Sequence, residues 1–197
     1  MNLRDFYDDR LPAYEDIRNA LANAVQETLD KDYDLIALGG HEQAIAHRIA
    51  VYLEKYFPSF HTDCEYNRNK HKAKNRRPET PGDKRQMRPD IIVHRRNTPD
   101  NVLAVEMKAN ANPESASDLD KLKCLKGERT YLYKGTAFIC IHNALGEITE
   151  GVLSASVDWY DVDKNGITKR ESETANMTCD KHAAQVKTIV KQRSEGE

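Results

Sequence analysis

Residues 88–110 read R-P-D-I-I-V-H-R-R-N-T-P-D-N-V-L-A-V-E-M-K-A-N, and the rest of the chain is best read outward from them. Two apolar runs joined by a short polar turn predict a pair of β-strands. Asp90 opens the first, and Glu106 and Lys108 lie near the end of the second. Strand alternation assigns Val102, Ala104, Glu106 and Lys108 to one face and Leu103, Val105 and Met107 to the other. A carboxylate and an ammonium then project the same way, roughly 6–7 Å apart along the strand. Charges on a strand this apolar are costly unless they are paired or bind a metal. With Asp90 as a second carboxylate and a main-chain carbonyl as a third donor, the set forms a hard oxygen site suited to Mg2+ or Mn2+. Lys108 stands beside it. Such a site can activate water against a phosphodiester, with the lysine orienting or deprotonating the water or stabilising the oxyanion. The plainer alternative is a surface hairpin whose Glu106 and Lys108 form a solvated pair, but the flanking residues are too apolar for an exposed ribbon.

On Pro89-Asp90 and Glu106-Met107-Lys108 the sequence resembles the PD-(D/E)XK nuclease superfamily, over residues 40–143 or about half the chain. The resemblance implies an α/β, restriction-endonuclease-like core of order α-β-β-β-α-β, with a mixed central sheet flanked by helices. It also implies a metal-dependent nuclease in which Asp90 and Glu106 hold the ion and Lys108 assists the attacking water.

Element order can be read without the motif. Apolar spacing predicts a helix over residues 14–29 and, after Gly39-Gly40, a second over 41–57 that stops at Pro58. Glu42 lies in the first turn of the second helix. It is either a dipole-favoured acid or a carboxylate aimed over the sheet at the metal site, as in nucleases of the resembled family. Residues 61–68 alternate like a first strand, with Asp63 and Glu65 on one face; Glu65 is either a further metal ligand or a solvent-facing residue. Strands follow over 90–95 and 102–108. Asn112-Pro113-Glu114 reads as an N-cap, an N1 proline and a first-turn acid, opening a helix that runs to 126 with Gly127 as its C′ glycine. Residues 136–142 form a continuous apolar run suited to a buried parallel strand. A hairpin turning at Asn165-Gly166 and a closing helix with a polar tail over 179–197 complete a single domain over residues 1–197.

Between the first two core strands, residues 68–88 carry nine Lys or Arg against two acids and almost nothing apolar. This stretch reads either as a mobile solvated loop or as a phosphate clamp. Its candidate DNA contacts are Arg68, Lys70, Lys72, Lys74, Arg76, Arg77, Lys84, Arg85 and Arg88. On the helix after the third strand, Lys121 and Lys123 are further candidate contacts, Lys121 the preferred one, against the alternative of solvated lysines.

The chain has 197 residues, 31% of them charged, a net charge of −2 and a mean hydropathy of −0.79. No apolar run reaches membrane-spanning length and the first ten residues lack a signal-like stretch, so a cytoplasmic protein with free cysteines is expected. Cys64 and Cys140 are expected to pack as small hydrophobes. DNA is the expected partner, and homodimerisation is left open. His41-Glu42 with His47 is near the zinc-peptidase pattern, but the second histidine is two residues too far along the helix. Asp161, Asp163, Asn165 and Gly166 match half an EF-hand loop, but Ser172 stands where the bidentate glutamate belongs. The functional expectation is a metal-dependent deoxyribonuclease acting as an endonuclease, with a structure-specific (Holliday-junction-type) nuclease and a non-cleaving nucleic-acid-binding or protein-interaction module on the same fold as alternatives.

Overall fold

The computed structural model describes residues 11–69, 72–74, 86–109, 112–127, 131–142 and 153–176. The closing helix expected over 179–197 lies outside them. Helix α1 (Tyr14–Lys31) forms where the apolar stripe predicts it and buries Ile17, Leu21, Val25 and Leu29. A short helix, α2 (Tyr33–Ala37), was not legible in the sequence. Gly39 ends it at φ 74°, and the Gly40 amide donates to the Leu35 carbonyl at 2.8 Å. A Cβ on Gly40 would fall 2.6 Å from that same oxygen, so the double glycine is a steric requirement of the turn. Helix α3 (Glu42–Leu53) follows, capped by His41, and buries Ile45, Ile49 and Leu53.

Six strands form one mixed sheet in the order β1 (His61–Cys64), β4 (Ile91–His94), β5 (Asn101–Lys108), β6 (Gly135–His142), β7 (Ser154–Asp163), β8 (Gly166–Asn176). Strands β5 and β6 are parallel, connected through helix α4 (Ala116–Gly127), and every other pair is antiparallel. A separate ribbon of β2 (Arg68–Asn69) and β3 (Lys72–Ala73) stands off the main sheet. Helices α1 and α3 cover one face, packing on Leu103, Val105, Met107, Ile139 and Trp159. Helix α4 covers the other, where Leu122 meets Phe138 and Leu125 meets Ala104. Coverage on both faces explains why β4, β5 and β6 read as continuous apolar runs. No helix among the described residues is long and apolar enough to cross a membrane.

Several local expectations are corrected. Val102 has no partner in the β4–β5 ladder, because Val93 pairs with Leu103 and His94 with Asn101; this bulge places Val102 in the cluster with Leu103 rather than on the Glu106 face. Strand β1 stops at Cys64, four residues earlier than expected, because Glu65 takes a left-handed backbone at φ 53°. Cys64 is exposed, whereas Cys140 is buried as expected. Helix α4 starts at Ala116, capped by Ser115 and not by Asn112. The Asp118 amide donates to Ser115 Oγ (3.2 Å) and the Ser115 amide to Asp118 Oδ2 (3.0 Å), a reciprocal capping box. The last hairpin turns at Lys164-Asn165, one residue before the predicted pair, with Asp163 Oδ1 accepting from the Asn165 and Gly166 amides.

Candidate functional site

Four elements meet at one place: the start of β4, the end of β5 and the first turns of α3 and α4. The antiparallel pairing of Ile91 with Val105 brings Asp90, just before β4, alongside the end of β5. There the Met107 amide donates to Asp90 Oδ2 at 2.8 Å, which fixes one carboxylate oxygen and leaves the other for a second partner. Glu106 lies on the α4 side of β5 and is fully buried at 0% exposure. Its Oε2 accepts from Lys121 Nζ, while its Oε1 is buried without a hydrogen-bond partner. At the strand end, Lys108 Nζ reaches the first turn of α3 and donates to Glu42 Oε1 at 3.2 Å. The first turn of α4 adds Asp118, 3.6 Å from Lys121 Nζ.

The electrostatics follow from burial and from like charge. Burial pushes the Asp90 carboxyl up to about 6, against the Met107 hydrogen bond and the Lys121 charge, with Glu42 raising it further. Glu106 is pushed well above the ordinary carboxylate range by burial and then by Asp90, with Lys121 opposing. Burial also disfavours the charged lysines. For Lys108 the Glu42 hydrogen bond and the Asp118 and Asp90 charges outweigh burial; for Lys121 the outweighing partners are Glu106, Asp90 and Asp118. Both are therefore held above the usual lysine value. A lysine so held is a donor and a point charge and is poorly suited to removing a proton from water, which narrows the roles open to Lys108. Four carboxyl groups, Glu42, Asp90, Glu106 and Asp118, face two ammonium groups, and a divalent cation would favour the ionised form of Asp90 and Glu106 that burial disfavours.

The residues fit such an ion in part. Two carboxylates at the junction of adjacent strands, one with an orphaned buried oxygen, match the sparse protein ligation that Mg2+ accepts. Among the described residues, no three His, Cys, Asp or Glu side chains converge into a ready-made cage. Glu65, read as either a further ligand or a solvent-facing residue, is exposed and accepts from Gln43 Nε2 at 3.2 Å. With Glu42, Gln43, Cys64 and Asp90 it lines a cleft of about 220 Å³ on the α3 side of Asp90. Asp63, expected on the same face as Glu65, is instead engaged away from this cleft by His94 Nε2 (2.9 Å) and Arg96 Nε (2.9 Å).

The expected DNA contacts divide. Arg68 and Arg88 are exposed, the latter 3.9 Å from Glu65 Oε2. Lys74 is buried at 1% exposure, donating to the Tyr66 carbonyl at 3.2 Å beneath the Tyr66 and Tyr133 rings, and so cannot serve as a surface phosphate contact. Lys70, Arg76, Arg77, Lys84, Arg85 and the side chain of Lys72 lie outside the described residues. Lys121, expected to meet phosphate or solvent, instead points at Glu106. Asp118 was missed, although Ser115-x-x-Asp118 is a readable capping signal. No family model matches the chain, and no curated protein or solved structure does.

Proposed function

We propose that the chain is a divalent-metal-dependent deoxyribonuclease built on a restriction-endonuclease-like core. In support of that core, α3, β1, β4, β5, α4 and β6 follow one another in the order α-β-β-β-α-β, with the small β2–β3 ribbon inserted. The observation that carries the activity is Glu106: a fully buried carboxylate with one orphaned oxygen, set beside a second carboxylate, is costly unless a cation completes it. Asp90 and Glu106 would hold Mg2+ or Mn2+, and a bound ion supplies an acidified water and charge neutralisation at the phosphodiester. Lys108, kept charged, orients the attacking water and stabilises the negative charge growing on the phosphoryl oxygens. Glu42 is a positioning residue that holds the Lys108 ammonium at the strand end. Supercoiled plasmid incubated with the chelator-treated protein should be nicked on addition of Mg2+ or Mn2+, and neither Asp90→Ala nor Glu106→Ala should nick. Gel-shift binding with no nicking by the wild-type protein under either metal would favour a non-cleaving binding module and reject the nuclease.

A further inference from the structure

The Lys121–Glu106 pair has a property that a static structural ion pair does not need. Only one oxygen of Glu106 is engaged, and the other is buried without a partner. A second carboxylate, Asp118, stands 3.6 Å from the same ammonium, one helical turn back. The capping box fixes Asp118 through Ser115, so this second position is held in place whether or not the lysine uses it. Lys121 retains 21% side-chain exposure, and its long stem can move the ammonium between two acceptors without moving the helix. A divalent cation at Glu106 would repel that ammonium at close range in a poorly solvated site, where water screens like charges weakly.

We propose that Lys121 is a resident counter-ion of Glu106 that competes with the divalent cation and moves onto Asp118 when the cation binds. It is a positioning residue that sets metal affinity. The Glu106 carboxyl is thereby held in place, and the site is reserved for a cation able to displace an ammonium. This inference rests on the metal reading of the site and is tested apart from catalysis.

The test is Mn2+ binding to chelator-treated protein, measured calorimetrically at mildly alkaline pH so that a proton does not take the lysine's place. Lys121→Met and Lys121→Gln should each bind Mn2+ roughly tenfold more tightly than wild type, since a competing charge has gone. Lys123→Met removes the same charge from an exposed position two residues along α4 and should bind as wild type does. Without added metal the Lys121 variants should melt lower than wild type, and Mn2+ should raise their melting temperature by more. Equal or weaker Mn2+ affinity in both Lys121 variants overturns the counter-ion role while leaving the metal site standing. Equal tightening in Lys123→Met reduces the effect to net charge and also overturns it. If neither wild type nor variants bind Mn2+, the metal assignment itself fails, and this inference with it.

Discussion

At the scale of single residues, the proposed function gives Lys108 the chemistry and Glu42 its positioning. In the proposed nuclease Lys108 would act on charge that develops during reaction, so Lys108→Ala should slow the chemical step by about 10²–10³-fold while DNA and metal affinities change little; single-turnover cleavage checks it. Glu42→Gln retains an acceptor for the Lys108 ammonium at the same reach and should cost less than Lys108→Ala. A Glu42→Gln protein that unfolds would make Glu42 a structural helix residue instead. Lys74 gives a stability prediction with a definite sign. Burial lowers its pKa from 10.5 to about 8. Between those values the unfolded chain binds more protons than the folded one, so stability rises with pH, and this contribution is lost as pH falls through about 8. The loss is on the order of 3 kcal/mol. Burial raises Tyr133 well above its ordinary 10.0, so tyrosine ionisation in the unfolded chain opposes folding beyond that pH. Urea melts should show wild type gaining stability from pH 8 to 10, and Lys74→Met should be more stable than wild type at neutral pH and lose that rise.

At the scale of elements, helix α4 tests which residue sets its start. Ser115→Ala removes the capping hydroxyl and should cost about 1 kcal/mol in chemical denaturation, whereas Asn112→Ala, outside the helix, should cost less. A larger loss from Asn112→Ala would restore the cap read from Asn112-Pro113-Glu114. That misreading shows where sequence legibility ends. Helices α1 and α3 and strands β4, β5 and β6 were readable because one or two faces of each are buried, and burial imposes a period or a continuous apolar run. The β5 bulge at Val102 and the left-handed Glu65 are set by how neighbouring strands meet, and neither leaves a periodic trace. Asp90, Glu106 and Lys108 were legible as charges out of place on apolar strands. The Lys121–Glu106 pair was not, since it depends on the angle at which α4 crosses the sheet, whereas Asp118–Lys121 is a local i,i+3 pair that the spacing allowed.

For the whole molecule, a net charge of −2 hides a strong asymmetry, because nine of the 30 Lys and Arg residues fall within residues 68–88. Binding to DNA through phosphates releases counterions, so each neutralised phosphate adds about 0.9 to the slope of log K against log salt. Burial of Lys74 changes how this stretch should be tested, because it supplies an internal control from the same sequence. Neutralising Arg76, Arg77, Lys84 and Arg85 should weaken DNA binding and flatten the salt slope by roughly one unit for every phosphate left without its cation. Lys74→Met removes a charge from the same stretch but from beneath Tyr66 and Tyr133, and should leave the slope unchanged. If these cations act on ground-state binding as proposed, saturating DNA should restore most of the cleavage rate in the four-site variant, whereas no DNA concentration should rescue Lys108→Ala. Fluorescence anisotropy across a salt series, paired with cleavage at saturating DNA, reads both effects. An unchanged slope in the four-site variant would make the basic stretch a solvated linker. An equal change in Lys74→Met would mean that net charge, and not placed cations, drives the association.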